Sequence, residues 1–179
     1  MKKQLFSDGA YGKKGDTMYY TQFNSSLCEI ILVGDKGGLS HLHLNTGEGK
    51  RKFRISDDWK KNNAFFAEIK KQINEYLKGR RTQFTVKLNP GGTDFQKKIW
   101  HELTRIPYGT VCSYRDIAAA TGNDKASRAV GSANGRNPIP LIIPCHRVIG
   151  ADGRLGGFAH GLSIKQKLID FEKETIRSK

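Results

Sequence analysis

Cysteine is scarce: three occur in 179 residues, Cys28, Cys112 and Cys145. No two are spaced as C-x-x-C, so no zinc site announces itself. An odd, scattered set also argues against a disulfide framework and for a reducing compartment. Acidic residues are few as well, 17 against 31 Lys and Arg, which leaves a formal charge of +14. That excess points to a polyanionic partner, nucleic acid first, although charge without a motif fits an ordinary basic protein too. No apolar run approaches the roughly 20 residues that cross a bilayer, and the lysine-bearing N-terminus lacks the apolar stretch of a signal peptide. A cytoplasmic protein is expected (nuclear in a eukaryote), with no membrane partner.

The first half is equally bare of chemistry. It holds no carboxylate cluster, phosphate loop or repeat. Residues 1–16 read as a loose arm. Residues 18–23, 27–33 and 39–44 are β-prone runs separated by turns, and an antiparallel meander is the economical arrangement for them. His41 and His43 alternate with Leu42 and Leu44, which suits the polar face of a strand better than a metal site. Phe65, Ile69, Ile73 and Tyr76, with Phe66 and Leu77 beside them, mark one face of an amphipathic helix that Gly79 ends, and residues 84–88 return to strand pattern. Residues 89–92, Asn-Pro-Gly-Gly, read as a linker. The expected division is therefore a structural α+β domain over residues 1–89 and a second domain over 90–179.

Thr93 or Asp94 can cap a helix that carries Phe95, Ile99 and Leu103, and Ser113 can cap another over residues 114–120. Thr121-Gly122 breaks that one, and a further helix is expected from Lys125 to Ala133. Two short helices about a glycine-containing turn predict a helix-turn-helix. The second is rich in small residues, Ala126, Ser127, Ala129, Gly131, Ser132 and Ala133, where ordinary regulators place long polar side chains to read the major groove. Small residues permit either close approach to a narrower groove or tight packing inside the domain. Arg128 is the one long cation in mid-helix, solvated or available to a phosphate or a gap in the base stack.

Leu141-Ile142-Ile143 leads into Pro144-Cys145-His146-Arg147-Val148. Burial alone makes a thiol inert, whereas an adjacent imidazole favours the reactive thiolate. A Cys-His pair by itself is also consistent with a small core cysteine. Asn137 is either an ordinary turn residue or a holder of backbone groups near the cysteine. Residues 156–161 form a flexible loop, and Ser163 with Gln166 gives a capping-box pattern for a last helix whose buried face is Ile164, Leu168 and Phe171. Glu172, near its end, gains nothing from the helix dipole. It is either a surface charge or a group that orients a histidine.

Arg128-Ala129-Val130-Gly131-Ser132-Ala133-Asn134, Asn137-Pro138 and the Pro144–Val148 stretch together resemble the signature of the 6-O-alkylguanine-DNA alkyltransferases. Phe95-Gln96 through Trp100, Ile106-Pro107-Tyr108-Gly109 and Ser113-Tyr114 resemble that family too, so the match runs over about residues 93–173. The resemblance implies a small ribonuclease-H-like domain for the first half. For the second it implies a mostly helical domain with a winged-helix-like helix-turn-helix, and for the whole chain an α+β class.

The resemblance further implies a monomer, without cofactor or metal, that directly repairs 6-O-alkylguanine, and 4-O-alkylthymine as well, in duplex DNA. Cys145 would be the alkyl acceptor, His146 the base acting through a water, and Glu172 its orienter. Asn137 would hold the turn, and Tyr114 would donate to the flipped base. Tyr114, Arg115, Asn123, Ala126, Ser127, Arg128 and Gly131 would meet the DNA in its minor groove, with Arg128 filling the vacated stack. Asn134, Pro140, Val148, Phe158 and Ala159 would line the base pocket. Phe158 stands where the family usually has a tyrosine, and His160 where it has a glycine. A lesion sensor that flips the base without repairing it would lack the acceptor thiol. A cysteine hydrolase would regenerate its thiol, and a transcription regulator would carry a long-sided second helix.

Overall fold

The computed structural model describes residues 16–49 and 51–178. The arm expected over residues 1–16 lies, but for Asp16, outside them. Among the described residues the chain forms two compact units. The first runs to Asn45 and resumes over Lys52–Gly91, and the second takes Thr46–Arg51 and continues from Gly92. The two units divide at Gly91 and Gly92, and Thr46–Arg51 is a short excursion into the second.

In the first unit, β1 (Tyr19–Asn24), β2 (Glu29–Asp35) and β3 (Gly38–Asn45) pair antiparallel in sequence order, as the alternating runs predict. A two-residue strand, β4 (Lys60–Lys61), adds itself parallel to β1 at the edge. Ile30 to Val33 are all buried, so this strand is covered on both faces and its β-branched side chains suit that setting. Gly38 has φ +139, and a Cβ there would lie 2.6 Å from the Lys87 carbonyl, so only glycine permits the close pass of residues 87–89 beside β3. That pass is a single bridge at Leu39 and Leu88 rather than the strand expected over residues 84–88. Gln72, buried on α1 (Ala67–Leu77), explains why: its side-chain oxygen takes the Thr85 N–H at 2.9 Å, which a ladder would have needed.

Two side-chain assignments also change. Phe65 precedes α1 and is 39% exposed, and Phe66, Ile73 and Tyr76 carry the buried face instead. His43 is not on an open polar face, because Phe53 stacks on its ring at 5.2 Å.

The second unit begins with α2 (Asp94–Leu103), closed by a reciprocal capping box between Thr93 and Gln96. Ile99, Trp100 and Leu103 are buried, whereas Phe95, expected on that face, is 42% exposed. The Trp100 indole N–H donates to the Ala133 carbonyl at 2.9 Å and so fixes α2 against α4 (Ser127–Gly135). Between them, β5 (Cys112–Ser113) leads into α3 (Tyr114–Ala120), which Ser113 and Asp116 cap reciprocally. Gly122 turns the chain at φ +83, and Asn123 caps a 3-10 turn over Asp124–Ala126 before α4 starts. The single helix expected over residues 125–133 is therefore a 3-10 turn followed by an α-helix. β6 (Val148–Ile149) pairs parallel with β5, and α5 (Leu162–Arg177) closes the unit. No helix among the described residues is long and apolar enough to cross a membrane.

The capping box expected from Ser163 and Gln166 does not form. The helix begins two residues earlier than a Ser163 cap would start it, behind Gly161 at φ +99, and Gln166 turns instead to Asp170 at 2.8 Å. The Ser163 hydroxyl donates to the Glu48 carboxylate, part of the 46–51 excursion. The same excursion places Thr46 Oγ1 2.7 Å from the His160 carbonyl, and Arg51 on the carbonyls of Asn137 (2.6 Å) and Gly135 (2.7 Å). Arg51→Ala leaves those carbonyls without a charged donor and is expected to destabilise the second unit by about 1–3 kcal/mol. Chemical denaturation followed by Trp100 fluorescence measures this, and Thr46→Val should shift the midpoint less.

Candidate active site

The position of Cys145 is set by a turn that folds back on itself. Leu141, Ile142 and Ile143 are buried, which draws the following Pro144 and the 3-10 turn Cys145–Arg147 inward with them. Asn137 holds the approach: its amide donates to the Ile143 carbonyl at 2.7 Å, and its side-chain oxygen accepts from the Ile139 N–H at 2.9 Å. Leu141 sits at φ +70, a conformation that costs a non-glycine residue about 1–3 kcal/mol and persists only where the surroundings enforce it. Asn134, from the last turn of α4, donates to the Cys145 carbonyl at 3.4 Å.

Cys145 is buried, and burial pushes its thiol above the ordinary value. The Asn137 side chain and the cations of Lys165 and Arg51 pull the other way without overcoming it. The resting group is a thiol, so a base must take its proton when it reacts. An imidazole lies next in sequence. His146 is fully buried, and its Nε2 lies 2.9 Å from Glu172 Oε1. An ionised carboxylate only accepts, so Nε2 carries the hydrogen and the lone pair of the neutral ring is on Nδ1. Nδ1 is buried and bonded to no protein group among the described residues. Burial lowers the His146 pKa from its ordinary value, against the pull of Glu172. Glu172 is not a surface charge: it is buried on α5, and its bonds to His146 and Arg147 hold its carboxyl well below the usual range despite burial.

Tyr114, the first residue of α3, is half-buried, and burial raises its pKa so that the hydroxyl remains a donor. A Cβ on Gly156 would lie 2.8 Å from that hydroxyl, so this glycine makes room for the phenol. A Cβ on Gly131 would stand 3.8 Å from the Tyr114 ring, an ordinary contact that does not itself demand glycine. Pro140 and Val148 are buried, Phe158 and Ala159 are half-buried, and the Phe158 ring meets His160 edge-on at 5.6 Å. On α4, Val130, Ala133 and Asn134 face inward, while Arg128 is exposed. Ala126, Ser127 and Gly131 are partly exposed, and Arg115 and Asn123 are exposed. Asn123 already uses its side-chain oxygen to cap the Lys125 N–H at 3.2 Å.

Three residues near this centre escaped the sequence reading. Arg51 reaches the Asn137 turn from outside the matched stretch. Arg147 brackets Glu172, with Nε 2.9 Å from Oε2 and Nη2 2.8 Å from Oε1. Lys165 is fully buried, its ammonium on the carbonyls of Val148 (2.6 Å) and Leu155, and burial lowers its pKa to about 8. Its signal was present: Ile164, Lys165, Leu168, Ile169 and Glu172 form one helical stripe, and two charges inside such a stripe imply buried partners. Among the described residues no group of three or more His, Cys, Asp or Glu side chains is arranged to hold a metal ion.

Known proteins place this geometry. Residues 94–174 match the family model of the 6-O-methylguanine DNA methyltransferase DNA-binding domain, and residues 18–90 match that of the ribonuclease-like domain of the same proteins. The methylated-DNA–protein-cysteine methyltransferase of Methanosarcina acetivorans is 50% identical over 155 residues, 87% of this chain and 98% of its own. The constitutive enzyme of that name from Bacillus subtilis is 40% identical over 163 residues, covering 90% of this chain and 99% of its own. Among solved structures, Mycobacterium tuberculosis OGT in complex with DNA superposes with a TM-score of 0.80 at 39% identity, over 88% of this chain and 94% of that one. With both of its halves matched and its relatives covered almost end to end, the chain belongs to the 6-O-methylguanine DNA methyltransferase family.

Proposed function

We propose that this chain repairs duplex DNA by moving the alkyl group of 6-O-alkylguanine irreversibly onto Cys145, one group per chain. The observation that carries this reading is a buried thiol on a turn whose next residue is an imidazole with its Nδ1 bonded to no described protein group and its Nε2 fixed on Glu172. Base, orienter and nucleophile together follow the logic of a catalytic triad.

The protein binds as a monomer in the minor groove, and the small exposed face of α4 allows the backbone to come close. The lesion swings out of the helix at a cost of a few kcal/mol, less where pairing is already damaged. Arg128, exposed in the first turn of α4, fills the gap, and Arg115 and Asn123 flank it on the same motif. In the pocket, walled by Asn134, Pro140, Val148, Phe158 and Ala159, the Tyr114 hydroxyl donates to the flipped base. The sulfur attacks the alkyl carbon in line with the bond to the guanine 6-oxygen. Its proton passes through a water to His146 Nδ1, the carbon–oxygen bond breaks, and hydrogen bonding from Tyr114 helps neutralise the leaving guanine. Asn137 keeps the turn in shape throughout. The product is a thioether, a poor leaving group with no hydrolytic exit, so the chain is consumed. 4-O-alkylthymine offers the same alkyl–oxygen bond and is a second substrate. A sensor that only binds the lesion has no use for the acceptor thiol.

Mixing the protein with a duplex that contains one 6-O-methylguanine should place a single methyl on the Cys145 peptide, read by mass spectrometry and levelling at one equivalent per chain. Tight lesion binding with no modified peptide would overturn the transfer reading. Arg128→Ala is expected to weaken capture of the lesion duplex more than binding to undamaged DNA, measured by fluorescence anisotropy. Affinity for either duplex should fall steeply with added salt as bound counterions are displaced, and equal losses on both duplexes would remove Arg128 from its stack-filling role.

A further inference from the structure

Arg147 belongs to the same turn as the nucleophile and base, yet the transfer chemistry gives it no task. Its side chain is nearly fully buried, and its Nη1 donates to the Ile106 carbonyl at 2.7 Å. Nε and Nη2 donate to Glu172: Nε to Oε2 at 2.9 Å and to Oε1 at 3.2 Å, and Nη2 to Oε1 at 2.8 Å. The Gly109 N–H takes Oε2 as well, at 2.9 Å. A carboxylate offers about four lone-pair positions. His146 therefore receives one share of a charge whose larger part faces a guanidinium.

This differs from a triad in which the orienting carboxylate lends its whole charge to the imidazolium. With His146 neutral, the Arg147–Glu172 pair sums to zero. Protonating His146 leaves a net positive charge in a buried site, which is costly. We propose that Arg147 is a positioning residue that neutralises Glu172, so that Glu172 orients His146 while the ring stays neutral with Nδ1 ready to accept the thiol proton. The inference rests on His146 being the proton acceptor.

The charged groups around the ring agree with this. From α5 it faces Glu172 and the buried cation of Lys165, and from its own turn Arg147. Tyr108, whose ring lies 5.5 Å from the Arg147 guanidinium, is kept protonated by burial and adds no charge. Arg147 and Lys165 both work with burial against the protonated imidazole, and Glu172 alone opposes them.

The test titrates His146 by heteronuclear NMR, its signal identified by comparison with His146→Asn, in the wild type and three variants. Single-turnover methyl transfer is followed against pH in the same proteins. Arg147→Gln frees the full charge of Glu172, so His146 should titrate about one unit or more higher. The acid limb of the transfer profile should move up with it. Arg147→Lys keeps the charge and should titrate near the wild type. Arg147→Gln with Glu172→Gln removes both charges, avoids an unpaired buried ion, and should leave His146 within about half a unit of the wild type. A fall of more than about one unit in the double variant would mean that Glu172 acts on His146 uncompensated, and would overturn the proposal. So would equal shifts in the Lys and Gln variants, which would reduce Arg147 to packing. If the titrations behave as expected but the transfer rate ignores them, it is the assignment of His146 as base that fails.

Discussion

The Glu172 carboxylate gathers three stretches that lie far apart in the chain. It accepts from His146 and Arg147 on the turn that follows the apolar run, and from the Gly109 N–H on the turn that follows α2. Breaking a buried ion pair by removing one partner typically costs about 3–5 kcal/mol, so these bonds constrain the site far more than exposed pairs could. The register of α5 is fixed independently by the burial of Ile164, Leu168 and Ile169. Packing along one helix is thereby converted into the position of an imidazole beside a thiol.

A second constraint works on the other side of the cysteine. Leu141 is held at a positive φ that its side chain disfavours. What enforces it is a set of directional bonds: Asn137 to Ile143 and Ile139 through its side chain, and Arg51 to the Asn137 carbonyl. The strain and its restraint together specify one path for the backbone into Cys145. A looser turn would lower the strain and with it the definition of where the sulfur points.

Local physics made much of this legible from sequence. The antiparallel meander, the helix caps at Thr93 and Ser113, the helix-turn-helix and the apolar approach to Cys145 each depend on residues close together in the chain. The errors share a different cause. Phe65 and Phe95 were assigned inward by periodicity, which cannot see where a helix begins or which neighbour covers it. Ser163 lost its cap to Gly161 and to Glu48, 115 positions away. Residues 84–88 lost their ladder to the side chain of Gln72. Arg51 is a long cation whose partners are backbone carbonyls, and carbonyls leave no mark in a sequence, whereas Lys165 was marked by its place in the buried stripe of α5. His146 and Glu172 were foreseen through resemblance, while the Arg147 bracket that completes them was not.

The acidity of the thiols sharpens what distinguishes Cys145. Cys28 and Cys112 are half-buried and pushed up to about 11 by burial, and Cys145 is raised by the same cause. A free thiolate is the form that oxidants and stray electrophiles attack. For a group that reacts once, an acidic thiol would be a liability, since the chain could be lost before it met a lesion. Its reactivity therefore has to come from partners rather than from a standing charge. Cys145 alone is followed by a buried imidazole with an unused lone pair, and on the proposed mechanism the proton leaves only when the alkyl carbon is in place to take the electrons. Burial that would make an ordinary cysteine inert here keeps the reagent intact until it is used.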